Sequence, residues 1–243
     1  MMFRDNVSSR MNGALSSLKE GKFVLIYDRD GREEETDFVI PSQLVKPGDI
    51  RRMRKDGGGL ICTTLTHQAA GKLGMPFLSE IFGRMSGDIP LLGYMIPDDI
   101  PYDEISSFSL TINHRETFTG VTDNDRALTV TRFADLLDEM KNMDDDEAPR
   151  AMGRGFRAPG HIHLLNCTEA LLTKRQGHTE LSTAMMVMAG LTASATICEM
   201  MGDDGNARSK DSASKYASDN EYLWLEGAEV IDAWEAYKKT IDK

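Results

Sequence analysis

Apolar positions along this 243-residue chain change period repeatedly, and each change marks an element. Between Ser8 and Glu20, Met11, Leu15 and Leu18 recur at helical spacing and Gly21 follows as a stop, which predicts a helix. The next run, KFVLIYD, is apolar without alternation, as in a strand covered on both faces, and FVIP resumes that character after an acidic interruption. Residues 47–59, PGDIRRMRKDGGG, read as a short basic helix closed by glycines, LICTTLT as a strand and HQAAGKLG as another short helix. Gly and Pro recur from 75 to 103, so that stretch is expected to be irregular. SSFSLTINH alternates like a strand. Two threonine-opened segments follow: TDNDRALTV, with Thr122 and Asp125 three apart as a capping-box variant, and the amphipathic TRFADLLDEMKNM. The run DDDE at 144–147 reads as a solvated connection.

The second half is more regular. GHIHLLNC reads as a strand, HTELSTAMMVMAGL as an apolar helix ending near Gly190, and ASATICEM as a buried strand. A polar connection, the helix SASKYASDN, the short strand YLWL and a final helix, EVIDAWEAYKK, complete the pattern. Strands alternate with helices, yet several strands are short and the connections vary. These features predict an α/β (α+β) fold, a mixed-sheet sandwich in one domain over residues 1–243.

Composition narrows the function. With 40% apolar residues the chain can bury a core, and a formal net charge of -11 argues against nucleic acid or an anionic membrane as partner. Cys62, Cys167 and Cys198 are odd in number and widely spaced, which indicates neither a disulfide framework nor structural zinc and suits a reducing cytoplasm. The N-terminal stretch lacks an apolar export signal, and no run approaches the ~20 apolar residues of a membrane span.

Candidate chemistry gathers in a few places. YDRDGREEETDFVIP carries six acidic residues and two arginines between positions 28 and 37. On an extended backbone Glu33, Glu35 and Asp37 would point the same way, and three like charges on one face call for a cation. A solvated acidic connection is the alternative. In KRQGHTELS, Thr179 can cap a helix beginning at Glu180, and Gly177 lets a ligand approach the backbone, so residues 175–179 form an anion site suited to phosphate. His178 sits in that turn. His161 and His163 stand two apart on a strand, a spacing found in metal sites and also by chance; His161, after Pro-Gly, is the better candidate. Glu199 closes an apolar run, either as a general acid/base with a raised pKa or as a strand end reaching solvent.

Together FVLIYDRDGREEETDFVIP, TGVTDNDRA, PGHIHLL, RQGHTE and ICEMMGDDG closely resemble the 3,4-dihydroxy-2-butanone 4-phosphate synthase family of riboflavin biosynthesis, over nearly the whole chain. The resemblance implies a monofunctional lyase that converts ribulose 5-phosphate to 3,4-dihydroxy-2-butanone 4-phosphate and formate. It further implies Mg2+ or Mn2+, two ions per site, and a homodimer with active sites at the subunit interface. By the same resemblance Glu33 and His178 hold metal, and Arg175, Gln176, Gly177 and Thr179 line the phosphate site. Arg32 and Asp37 contact sugar hydroxyls, His161 and Glu199 are the acid/base residues, and Asp28, Glu35, Cys62 and Glu180 support them. A metal-dependent sugar-phosphate isomerase or aldolase would use the same parts but release no formate, and a non-catalytic sugar-phosphate sensor would need no acid/base pair.

Overall fold

Seven strands form one mixed sheet in the computed structural model, which describes residues 7–241; residues 1–6, part of the stretch read for an export signal, and 242–243 lie outside the described residues. The strands are β1 Val24–Tyr27, β2 Thr36–Pro41, β3 Cys62–Leu65, β4 Phe108–His114, β5 Phe156–Asn166, β6 Ala195–Glu199 and β7 Leu223–Glu226, in the order β4-β5-β3-β6-β2-β1-β7. The pairs β1–β7 and β3–β5 are parallel and the rest antiparallel, which is the expected mixed sheet. The helices are α1 Ser9–Lys19, α2 Pro47–Asp56, α3 His67–Leu73, α4 Leu78–Met85, α5 Pro90–Tyr94, α6 Asp123–Glu139, α7 Glu147–Gly155, α8 His178–Ala189, α9 Lys210–Asp219 and α10 Gly227–Ile241. Among the described residues no helix is long and apolar enough to cross a membrane.

Side-chain alternation sorts the sheet into two apolar layers. Leu25, Phe38 and Ile40 face the core shared with α2, α6 and α9, while Val24, Ile26 and Val39 face the core shared with α1, α8 and α10. Every residue of β1 and β2 is buried. Each fully buried Val, Leu, Ile or Phe there contributes about 1.5–3 kcal/mol of transfer free energy. That anchorage fixes both ends of the acidic turn between the two strands.

Four local expectations are corrected. The two threonine-opened segments form one continuous helix, α6: Thr122 does cap it, accepting from Asp125 N at 3.1 Å, but Asp125 turns its own carboxylate to Gly120 N. Thr131 in its middle is not a second cap, because its hydroxyl donates to Ala127 O at 2.9 Å. The stretch 75–103 contains α4 and α5, and DDDE is not merely a connection: Asp144 accepts from Glu147 N at 2.7 Å and opens α7. Thr179 does not cap α8; Gly177 is its N-cap residue, and the helix begins at His178.

The β4–β5 ladder is interrupted where it bears on function. Ile112 pairs with Ile162, but the next residue, Asn113, pairs with Arg157, so Ala158 to His161 bulge out of the ladder. Gly160 packs against the backbone of β4 inside this bulge, and a Cβ there would sit 1.9 Å from Ile112 C and 2.2 Å from its O. Gly160→Ala is therefore expected to lower stability by at least ~1–3 kcal/mol, the usual cost of overpacking. Gly153→Ala, in α7 with nothing within 4 Å of the added Cβ, is expected to be neutral or stabilising. Urea unfolding of both variants checks this; equal stabilities would contradict the packing at Gly160.

Candidate active site

The acidic turn is organised by one buried carboxylate. Asp28 accepts from Glu33 N at 3.0 Å, Glu35 N at 3.2 Å and Arg32 Nη1 at 3.1 Å, while its own N–H donates to Glu35 O at 3.1 Å. Glu34 adopts a left-handed conformation at φ 58°, so residues 33–35 are not the continuous extended segment expected from alternation. The turn nevertheless brings Glu33, Glu35 and Asp37 to the wall of one cavity of about 360 Å³, which Glu199, Cys62 and His178 also line.

The cation that these charges call for comes from α8. His178, its first residue, is buried with Nδ1 3.1 Å from Glu33 Oε2 and Nε2 3.2 Å from Ile26 O and 3.7 Å from Asp37 Oδ1. Both ring nitrogens meet acceptors, which favours the doubly protonated ring. Burial opposes the charge, but Asp37 and Glu33 prevail and His178 is raised to about 9. Glu33 shows the converse: burial disfavours its ionised form, yet the hydrogen bond from His178 and the charge of Arg32 hold it down at about 2.

The other carboxyls shift the opposite way. Asp37 stands directly across from Glu199 on the paired strands β2 and β6. Burial pushes Asp37 well above the usual carboxylate range, with Glu199 and Glu33 adding to it, and burial likewise raises Glu199 and Glu35. Asp37 Oδ1 is buried without a hydrogen bond. One cavity thus holds a carboxylate shifted down beside carboxyls shifted up, a separation that lets neighbouring acids take different roles. Cys62, on β3, is buried and its thiol is pushed up by burial, so it acts as wall and not as a thiolate.

Two buried arginines also converge on this cavity. Arg32 Nη1 pairs with Glu33 Oε2 at 2.7 Å, and Arg175 Nη1 with Glu180 Oε2 at 2.6 Å. Asp103 bridges them, its Oδ2 accepting from Arg32 Nη2 at 2.5 Å and from Arg175 Nη2 at 2.6 Å and Nε at 2.9 Å. Gly177 makes room for both guanidiniums: a Cβ there would lie 2.5 Å from Arg32 Nη2 and 2.6 Å from Arg175 Nη1. Thr179 lines this cavity, whereas Gln176 lines the adjoining one and accepts from Arg29 Nη1 at 3.4 Å.

Asp28, Gly177 and Glu180 stand behind the cavity wall in contact with its arginines and Gln176 lines the adjoining cavity, whereas His161 is brought to neither. It stands exposed on the β5 bulge, where Asn113 Oδ1 accepts from its N–H at 2.9 Å and Asn113 Nδ2 lies 3.2 Å from its Nδ1. His163 packs edge-on against Phe108 with ring centroids 5.8 Å apart, so the HxH pair is not a shared ligand set. Asp103, Tyr102 and Asn113 were not singled out from sequence. No local signal marks Asp103, which reaches Arg175 across 72 positions.

The donor set fits a hard divalent ion. Among the described residues Asp28, Glu33 and His178 offer ligand atoms within 4.8 Å of one another. Asp28 is committed to three donors, which leaves Glu33 and, once its ring has given up a proton, His178 as the pair able to turn to an ion, with the unbonded Asp37 Oδ1 close by.

Comparison with known proteins places this geometry. The family model described as 3,4-dihydroxy-2-butanone 4-phosphate synthase matches residues 12–233. The protein of that name from Methanothermobacter thermautotrophicus is 45% identical over 226 residues, covering 93% of this chain and 96% of the relative. Its namesake from Methanosarcina mazei is 40% identical, covering 93% and 92%. Among solved structures, a cation-free 3,4-dihydroxy-2-butanone 4-phosphate synthase superposes with a TM-score of 0.71 at 21% identity, over 98% of this chain and all of that one. One in complex with two magnesium ions gives 0.71 at 22% identity, over 91% and 94%. Solved structures at that identity speak for the fold; the family match and the relatives at 40% and 45% identity establish that the chain belongs to the 3,4-dihydroxy-2-butanone 4-phosphate synthase family of lyases.

Proposed function

We propose that the chain converts D-ribulose 5-phosphate to L-3,4-dihydroxy-2-butanone 4-phosphate and formate in riboflavin biosynthesis, as a homodimer in the cytoplasm. The observation that carries this reading is a cavity that combines two buried guanidiniums, Arg32 and Arg175, with Glu33, Asp37 and Glu199, the Arg32–Glu33 pair joining the two sets. A sugar phosphate has the matching polarity, a dianion at one end and an enolisable ketone at the other. The two products together contain all the atoms of the substrate, so no redox co-reactant is needed. Three free, buried cysteines accord with a reducing compartment.

Arg175, together with the leading N–H groups of α8, takes the phosphate, and Arg32 faces the sugar hydroxyls beside it. Glu33 and His178 would hold the magnesium or manganese ions. Such an ion, when bound, supplies positive charge at the ketone end and acidifies the adjacent C–H. Glu199 and Asp37, raised by burial, are stronger bases than solvated carboxylates and, once protonated, serve as the acid that expels a hydroxyl. His161 is exposed in its own subunit yet fixed by Asn113, and it enters the second subunit's cavity as the partner in proton transfer.

Purified protein given ribulose 5-phosphate and magnesium is expected to release one formate per substrate consumed. Glu33→Gln and His178→Ala should abolish that release, and excess chelator should do so reversibly. Full activity in chelator, or a pentose isomer with no formate, would overturn the assignment.

Arg175→Ala is expected to weaken ribulose 5-phosphate by roughly ten- to a hundred-fold, the loss of a charge-assisted contact, while hardly affecting dephosphorylated ribulose. Competition binding with the two sugars measures this. Equal losses would mean that Arg175 does not read the phosphate.

Glu199→Gln and His161→Asn should each bind substrate near normally while turnover falls by at least about a hundred-fold. Co-refolding the two variants in equal amounts should restore about a quarter of wild-type activity, because half the dimers then carry one intact site. No recovery would refute a site built across two subunits.

A further inference from the structure

Asp103 is the one carboxylate at the arginine pair that comes from outside the acidic turn and α8. Its segment, residues 100–105, lies between the active-site cavity and a second cavity of about 770 Å³, and Arg32, Tyr102, Asp103 and Arg175 belong to the walls of both. Three N–H groups converge on its Oδ2 from two guanidiniums that are each nearly buried. Tyr102 lies over Arg32, with the guanidinium carbon 5.4 Å from the ring centroid. The leading N–H groups of α8 lie just beyond, ahead of the first helical bond from Leu181 N to Gly177 O at 2.9 Å. Two arginines brought together at this depth repel unless an anion lies between them, and Asp103 is that anion.

We propose that Asp103 is a built-in competitor for the anion site: its carboxylate occupies the Arg32–Arg175 pair in place of a phosphate, and a phosphorylated ligand binds by displacing it. This deepens the proposed function and rests on its reading of Arg175 as the phosphate anchor. A phosphate brings more oxygens than the single Oδ2 and a second negative charge, so it outbids the internal carboxylate where a small monoanion does not. Displacement of Asp103 would also join the two cavities, and the second contributes Arg29 and Lys174 along the approach. The residue thus sets selectivity for dianions. Neither arginine would be left bare by its removal, since Arg32 keeps Asp28 and Glu33 and Arg175 keeps Glu180.

The test is calorimetric titration of the full chain with inorganic phosphate, which involves no turnover. Asp103→Asn is expected to bind phosphate on the order of ten-fold more tightly than wild type, because the competent state no longer has to be freed first. Acetate should bind the variant measurably and the wild type hardly at all. In the wild type, saturating phosphate should speed amide hydrogen exchange across residues 100–105, a readout that needs no variant to fold. Unchanged or weaker phosphate binding by Asp103→Asn, or added protection of 100–105, would overturn the proposal. Arg175→Ala separates the two ideas: if it abolishes phosphate binding while Asp103→Asn does not tighten it, only the competitor role fails. If Arg175→Ala leaves phosphate binding intact, the phosphate anchor fails and the competitor role with it.

Discussion

Six acidic residues within ten positions repel one another, and the architecture of the site follows from how that repulsion is met. Asp28 is taken out of the contest first: buried, it is spent on two backbone N–H groups and Arg32, and in doing so it folds the turn. Glu33 is neutralised by Arg32 and His178. Asp30 accepts from the Tyr27 hydroxyl and Glu34 from Gly31 N, while burial raises Glu35, Asp37 and, across from it on β6, Glu199, with His178 Nε2 3.7 Å from Asp37 Oδ1. The division of labour among the acids is thus a consequence of where two cations stand, and those two positions are set by α8 and by the turn itself.

The same logic operates with signs reversed around the two arginines of the cavity. Arg32 and Arg175 are drawn together by Gly177, whose missing side chain is the space they occupy, and by carboxylates from three separate segments. Arg32 belongs to both networks, since Nη1 serves Asp28 and Glu33 and Nη2 serves Asp103. The two sets are therefore not independent. Occupying one set changes the partners available to the guanidinium that links it to the other, so a ligand long enough to span the cavity meets a coupled site.

Elements with a clean period were legible from sequence because burial on one or two faces is what writes the period. α4 and α5 were not read: α5 is only five residues long, too short to show a period, and in α4 the helical spacing of Leu78, Ile81, Phe82 and Met85 is set among the recurring Gly and Pro of the surrounding stretch. The split of α6 arose from Thr131, a residue whose cap-like identity is satisfied inside a helix by bonding back to Ala127 O. At the site, the acidic turn, Gly177, His178 and Glu199 could be singled out because each violates its local context, a charge inside an apolar run or a glycine before a helix. Asp103 violates nothing locally. Its role comes only from the tertiary placement of two arginines, which no window of sequence contains.

His161 marks the limit of reading one chain alone. Exposed side chains normally keep their rotamer freedom, since ordering one costs about 0–2 kcal/mol with no burial to offset it. His161 does not keep it: the bulge carries it out of the ladder, Gly160 wedges the bulge against β4, and Asn113 holds both the backbone N–H and Nδ1. The Asn113 carboxamide lies against Nδ1 with its nitrogen at 3.2 Å and its oxygen at 3.3 Å, so the ring is held in place by the same residue that binds its backbone. Such order at an exposed position is what the role proposed for His161 across a subunit boundary would require of it.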